Sequence, residues 1–394
     1  MRILNVIAEG RFGGPQRRIL EVAKGLKKNG IETMVVLPNY DSDRFQQLLT
    51  EADIPFRAIK IHRITKDWKH LFKFFLFFIP ELLHIKRIIK EYKADVVHAN
   101  GAWQIKSIIA AKQAGVHSVW HLNDTYMPGY ILWLMKLVAA VYSDRFIGSS
   151  IRTQEFYGPH LAKDKRDMQI VLPPVDVASF DPAITAKAPD LEAFDGVKII
   201  TVANVNPIKG YDLFVEMIAE VNKMTDQPCH FYSAGKILAN QKKLTNHIMN
   251  KVKQLNISNV TFFGARSDVK NLLKSADIFV CCSLSESGPM TVFEAMAMEN
   301  AVVSTDVGDV NGLFENGKNG CIVPVNDATA MAKAVVALMS DVSKRNAMGL
   351  NARKKAITSV DVSCCVEAHE TAYRSAVANS AHTAANKPLK EEGA

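Results

Sequence analysis

The feature that most constrains this chain is a pattern that occurs twice. Short β-branched runs each lead through a glycine- or proline-marked loop into an amphipathic helix. Such alternation specifies a parallel sheet, because parallel neighbours need a long crossover and a helix supplies it. The first forty residues set the unit: the run Ile3–Ile7, the loop GRFGG, a helical pattern from Pro15 to Lys28, Asn29–Gly30, then Thr33–Leu37. Ile19, Val22, Ala23 and Leu26 recur at helical spacing and should face the sheet. Pro15 suits a first helical turn and Gly30 a C-cap. Further strands are expected at Val96–Ala99, Ser118–Leu122, Arg145–Gly148 and Ile170–Leu172, with helices including Ile79–Tyr92 and Ile105–Gln113. A second set runs from Lys198–Ala203 through Cys229–Ala234, Val260–Phe263, Ile278–Cys282, Ala301–Thr305 and Gly320–Val323.

Between the two sets, FDPAITAKAPDLEAFDG has no periodicity and reads as a linker. The expected organisation is a first domain over 1–179, a linker over 180–196 and a second domain over 197–360. A C-terminal helix over 361–378 could cross back to the first domain, and a disordered tail over 379–394 follows. A length of 394 residues accommodates two domains of this size. Six cysteines include two adjacent pairs and no C-x-x-C, which suits neither a zinc site nor a secreted disulfide framework, so a reducing cytoplasm is expected. The run Ile3–Ala8 is too short for a secretory apolar core. Leu71–Ile79 is broken by Lys73 and stopped by Pro80, far short of the ~20 residues that span a bilayer.

Three stretches carry chemistry. In SLSESGPMTVFEAMA, residues 283–297, a strand enters a small-residue loop that opens a helix. With Pro289 at the first helical position, the amides of Met290 and Thr291 would be free to meet an anion. Glu286 and Glu294 bracket that start, and beside an anion site they should accept hydrogen bonds from neutral hydroxyls such as those of sugar and ribose. The plain alternative is one helix-start carboxylate favoured by the dipole and one solvated loop carboxylate. In ANVNPIKG, residues 203–210, Lys209 stands at a strand-to-helix turn, where it can meet phosphate at the sheet's C-terminal edge. A P-loop spacing is absent, and Gly13–Gly14 lacks the third glycine of a dinucleotide fingerprint. Gly13 and Gly14 still allow a close backbone approach, with Arg17 and Arg18 one turn later; a simple tight turn is the competing account. His121, in WHLND, ends a strand where α/β ligands bind, unless it is a buried structural histidine.

These residues together resemble the retaining glycosyltransferases of family 4, the glycosyl transferases group 1, from Met1 to about Arg374. The resemblance is most specific in Glu286-x7-Glu294 with the following AMAMENAVVSTDVG. It is supported by the GG loop, ADVVHANG, His121, the NPIKG turn, GARSDVKNLLKSADIFV and NGKNGCIV. It implies the GT-B architecture, two Rossmann-like domains facing each other across a cleft. By the same resemblance Glu294 binds the nucleotide ribose and Glu286 the donor-sugar hydroxyls. Backbone around Gly288, Met290 and Thr291 meets sugar or phosphate, and Lys209 neutralises the departing pyrophosphate. Gly13 and Gly14 close over the phosphates, and His121 sits near the reacting sugar. Asn204 stands where the family usually has Arg, which removes one of two expected cations; Arg266, Arg17 or Arg18 would have to substitute. No protein nucleophile, metal or cofactor is implied. The substrate is a nucleotide diphosphate sugar, with a UDP-sugar favoured over a GDP-sugar.

Charge bears on the acceptor. Residues 1–180 carry a net +9 against −1 for the rest, a one-sided field that favours anionic partners. Residues 71–93 pair an aromatic-rich segment with a basic helix. The face Leu82–Ile85–Ile89–Tyr92, beside Lys86, Arg87, Lys90 and Lys93, reads as contact with an anionic membrane at the cytoplasmic leaflet. The competing reading packs the same face on the sheet. A saccharide or lipid-linked saccharide acceptor follows from the first reading. Nucleic acid is not expected, since no RNA or DNA motif accompanies the basic character. The alternatives to transfer are a nucleotide-sugar-binding protein without turnover and an epimerase, and the latter is disfavoured by the paired glutamates.

Overall fold

A computed structural model describes residues 1–63, 68–125, 127–161, 168–237 and 241–385, without the side chains of 68–70, 130 and 379–385. The chain divides into two compact units, Met1–Pro173 with Val362–Ala394, and Pro174–Asp361.

The first unit holds β1 (Arg2–Ile7), β2 (Glu32–Pro38), β3 (Phe56–Ile59), β4 (Val96–Asn100), β5 (His117–Leu122), β6 (Arg145–Gly148) and β7 (Gln169–Ile170). They form one sheet in the order β3-β2-β1-β4-β5-β6-β7, parallel throughout. The strand β3 has no counterpart among the sequence expectations. It is a four-residue edge strand, FRAI, with its two middle residues exposed, so it lacks the apolar run that marks the central strands. The helix Gly14–Lys28 buries Ile19, Val22, Ala23 and Leu26 as their spacing requires.

The second unit holds β8 (Val197–Val202), β9 (Cys229–Ala234), β10 (Val260–Gly264), β11 (Ile278–Cys281), β12 (Ala301–Thr305) and β13 (Cys321–Val323). Its order is β10-β9-β8-β11-β12-β13, again all parallel. Strand order reverses between β8 and β11. That is the position where open α/β sheets bind ligands at their C-terminal edge.

Three expectations change. Residues 180–196 belong to the second unit instead of forming a free linker. Ala188 and Leu191 are buried, the Ala188 amide donates to Ser275 Oγ at 2.8 Å, and Asp181 pairs with Arg353 at 3.2 Å. The C-terminal helix runs over Val362–Ala385, so residues 379–385 are helical and not a disordered tail; 386–394 lie outside the described residues. It belongs to the first unit, where Val366, Ala372, Tyr373 and Ala376 share a core with Ile3 and Leu26. Finally, the proposed membrane face is core. Leu82, Ile85, Ile88 and Ile89 pack with Leu4, Val6 and Val97, because the strongest apolar stripe of a sheet-covering helix is the one that turns to the sheet. Among the described residues, no helix is long and apolar enough to cross a membrane.

Candidate active site

The second unit brings three of the sequence candidates to the β8/β11 reversal. Lys209 ends a short 3₁₀ turn, Pro207–Lys209, whose start is capped by Asn206 accepting the Ile208 amide. Gly210 follows at φ +64°, and a Cβ there would lie 1.8 Å from the Cys282 carbonyl oxygen. Only glycine allows the lysine turn to seat that closely on the end of β11. The Leu284 amide then donates to the Ile208 carbonyl at 2.7 Å and ties the lysine loop to the glutamate loop. From the other side, Thr305 Oγ1 donates to the Ser283 carbonyl at 2.6 Å. Gly308, at φ +56°, leaves Pro289 room that a Cβ would take, at 2.8 Å from its Cδ.

Held this way, Glu286 accepts from Ser283 Oγ at 2.8 Å and pairs through the same Oε1 with the Lys209 ammonium. Both side chains are largely shielded, so the pair is not a loose surface contact. Oε2 is left to accept from other donors. Lys209 and Glu286, expected to act on separate parts of a ligand, thus neutralise one another here, and an arriving diphosphate would compete for the lysine. Glu294 lies one turn into the helix Met290–Ala297 and is buried.

The helix start differs in detail from expectation. Pro289 is the cap, with φ −77° and ψ 80°, an inverse γ-turn in which the Met290 amide donates to the Gly288 carbonyl at 2.9 Å. The Met290 amide is therefore already used. The Thr291 amide finds no backbone acceptor among the described residues, so it is the donor aimed past the helix start. Asn204 is exposed, and its Oδ1 accepts the Lys236 amide at 2.9 Å. Arg266 cannot replace the missing cation, because its guanidinium is shared between Asp190 (2.5 Å) and Asp268 (2.6 Å), which hold its pKa above the usual range.

In the first unit, Gly13 has an extended φ of −159° that any residue adopts, and a Cβ would meet nothing closer than 3.6 Å. Neither packing nor backbone conformation requires a glycine here. Gly14 and Arg17 stand exposed beside it at the helix start.

His121 and Arg18 are placed otherwise than expected. The register pairs Asn5 with His98 and Asn100 with His121, so these four side chains share one face of β1, β4 and β5. Arg18 covers that face, donating to His121 Nε2 (3.0 Å), Asn100 Oδ1 (2.9 Å) and Asn123 Oδ1 (2.9 Å). The C-terminal helix closes it with His369 and Tyr373, whose hydroxyl lies 2.7 Å from His98 Nδ1. Both His121 and Arg18 are buried. Burial pulls Arg18 down to about 10, still cationic at neutral pH, and holds His98 and His121 well below their ordinary value. His369 is pushed down to about 3 for the same reason, helped by Arg18.

The three imidazoles place ligand atoms within 4.8 Å of one another, the spacing of a metal site. His98 Nε2 and His121 Nδ1 are buried without a hydrogen-bond partner among the described residues, while Arg18 beside them works against a divalent ion. A guanidinium only donates, so with Arg18 in place His121 Nε2 carries the lone pair and Nδ1 the proton. Among the described residues, no carboxylate joins the cluster to offset a divalent charge beside Arg18. Burial by a helix some 250 residues away in sequence was invisible in the WHLND segment itself.

Comparison with known proteins bears on the family and the fold. The family described as Glycosyltransferase Family 4 matches residues 12–179, and Glycosyl transferases group 1 matches residues 186–355. A UDP-Gal:alpha-D-GlcNAc-diphosphoundecaprenol alpha-1,3-galactosyltransferase of Escherichia coli is 27% identical over 76% of this chain and 80% of its own length. A Campylobacter jejuni alpha-1,4-N-acetyl-D-galactosaminyltransferase that acts on an undecaprenol-diphosphate-linked saccharide is 24% identical over 90% of this chain and 93% of its own. Among solved structures, a glycosyltransferase from Rickettsia africae superposes with a TM-score of 0.81 at 22% identity, covering 96% of this chain and 99% of that one. HepE of Anabaena in complex with UDP superposes with a TM-score of 0.78 at 19% identity, covering 98% and 100%. The fold is GT-B, built from two Rossmann-like units. The two family models together span most of the sequence, and the chain belongs to the family 4 glycosyltransferases.

Proposed function

We propose that this glycosyltransferase moves a hexose-type sugar, with retention of anomeric configuration, from a nucleotide diphosphate sugar to a saccharide or lipid-linked saccharide. The pathway class is cell-surface polysaccharide or glycolipid biosynthesis, at the cytoplasmic face of the membrane. The observation that carries the reading is the convergence of Lys209 and Glu286 at the strand-order reversal, at the foot of the helix that bears Glu294. A UDP-sugar donor is favoured because the Escherichia coli relative is named for UDP-Gal and HepE holds UDP.

Breaking the bond between anomeric carbon and phosphate oxygen leaves negative charge on the diphosphate and positive charge on the ring. Lys209 and the Thr291 amide meet the first, which is the usual dominant electrostatic contribution. Glu286, through Oε2, and Glu294 accept from sugar and ribose hydroxyls. The acceptor oxygen bonds to the anomeric carbon on the face the phosphate leaves, and its proton passes to the departing phosphate oxygen. No protein nucleophile and no metal takes part, so turnover should survive chelation. Lys236, whose backbone amide donates to Asn204 Oδ1 and whose side chain is exposed, is the residue we assign as the second cation in place of the family arginine.

A second reading, donor binding without turnover, has one observation in its favour. Arg266 is neutralised by two aspartates and Lys209 by Glu286, so neither of these two cations stands unpaired. Incubation with a donor panel and saccharide acceptors, with and without chelator, separates the two. Transfer should occur, and NMR of the product should show the donor's anomeric configuration. Inverted product, or donor binding with no nucleotide release on any acceptor, would refute the proposal.

A further inference from the structure

We infer that Asn123 contacts a hydroxyl oxygen of the acceptor saccharide, and that the buried Arg18 guanidinium is the positioning residue that fixes which end of the Asn123 amide is offered. The inference rests on the saccharide-acceptor reading for the identity of the ligand, and deepens it by naming a residue that meets it. The first unit's sheet also reverses strand order, between β1 and β4, so it has its own C-terminal edge of the kind where open α/β sheets take ligands. Strand β5 lies next to β4, and Asn123 directly follows its last residue, Leu122.

Arg18 is 4% exposed and, among the described residues, has no carboxylate partner. Its charge is met by neutral acceptors alone: His121 Nε2 at 3.0 Å, Asn100 Oδ1 at 2.9 Å and Asn123 Oδ1 at 2.9 Å. A guanidinium has only donors, so the amide atom facing it must be oxygen in both asparagines, and their NH2 ends point elsewhere. Asn100 uses its NH2 inside the fold, on Asn5 Oδ1 at 2.5 Å and the Val6 carbonyl at 3.3 Å. Asn123 differs. It is half-buried, and its Nδ2 makes no hydrogen bond among the described residues. A cation on Oδ1 polarises the amide and strengthens its N–H groups as donors. Arg18 thus turns a loop asparagine into an oriented donor at the edge of the sheet.

Charge narrows the ligand. The residue after Asn123 is Asp124, whose Oδ1 accepts from the Tyr157 hydroxyl at 3.3 Å. A carboxylate on the adjacent residue disfavours a phosphate or carboxylate on the ligand, and the buried Arg18 charge disfavours a cation. A neutral oxygen with a lone pair to offer is what remains, and a saccharide hydroxyl supplies one. An N–H donor next to a carboxylate also suits the two roles of a hydroxyl, which accepts at its lone pairs and donates through its proton.

The test is saturation-transfer NMR of the full chain, with UDP present, against methyl glycosides of glucose, galactose, mannose, N-acetylglucosamine and N-acetylgalactosamine. Asn123→Asp keeps Oδ1 on Arg18 and removes both N–H groups. At least one glycoside should bind wild type, Asn123→Asp should weaken it about tenfold, and UDP affinity should hold. The melting temperature of this variant should hold or rise, because the new carboxylate faces a buried cation; a purely structural asparagine would leave glycoside affinity alone. Arg18→Met should weaken the same glycoside and add nothing further in an Asn123→Ala background, the mark of a residue that acts through Asn123. The Asn123→Asp result decides if Arg18→Met does not fold. Where transfer is measured, Asn123→Asp should raise the acceptor KM and leave the donor KM unchanged. Glycoside binding that depends on Asn123, with no transfer to any acceptor, would refute the transferase reading and leave this inference standing. No glycoside bound by wild type, wild-type affinity in Asn123→Asp, an equal loss of UDP binding, or an Arg18→Met effect undiminished in Asn123→Ala would overturn it.

Discussion

At the scale of single residues, the glutamates divide the work by what surrounds them. Glu294 is buried on a rigid helix, so Glu294→Ala should remove a charge-assisted hydrogen bond and weaken donor binding about tenfold or more, measured by calorimetry. Glu286 holds Lys209 as well as offering Oε2, so Glu286→Gln should lower kcat more than it raises KM. The histidine layer makes a separate prediction. His369 falls from an ordinary 6.5 to about 3 on folding, and His98 and His121 move the same way. Between those pH values the unfolded chain binds more protons, so stability is full above about pH 6.5 and falls as pH drops, by at most about 1.4 kcal/mol per pH unit for each ring. Thermal unfolding at pH 7 and pH 5 should show this loss, and His369→Phe should shrink it; a pH-independent midpoint would contradict it. Glu286, Glu294 and Lys209 were legible in the sequence because a strand, a short loop and a helix fix their neighbourhood locally. The surroundings of His121 and Arg18 were not legible, because they come from β1, β4 and a C-terminal helix at once.

At the scale of elements, the site depends on two loops sewn together more than on either helix. Gly210 allows the lysine turn to touch the Cys282 carbonyl just past β11. Gly210→Ala should force them apart, costing about 1–3 kcal/mol of stability. In the same variant turnover should fall although no substrate-touching group is removed, and circular dichroism melts with initial rates would check both. The central strands were readable because a parallel sheet buried on both faces leaves continuous apolar runs. The edge strand β3 was not, since half of it faces water. The basic helix over 78–92 shows the limit of periodicity: its best apolar stripe marks where the sheet lies, and the surface it shows to solvent is defined by the remainder.

At the scale of the whole molecule, the two sheets were evident from the doubled strand–helix pattern, but the path of the chain was less so. The last helix completes the first unit's core through Val366 and Tyr373 and contributes His369 to its polar layer. Deleting residues 362–394 should therefore destabilise the unit made by Met1–Pro173 and leave the second unit's donor binding intact, visible as one lost transition in calorimetry. Family membership and fold rest on the full length, whereas the proposed chemistry rests on Lys209 steadying a departing diphosphate. The direct test is steady-state kinetics of Lys209→Ala on the donor and acceptor that support wild-type turnover. A fall of about 10²–10³ in kcat with little change in KM is the predicted result, and a variant that turns over at the wild-type rate would contradict it.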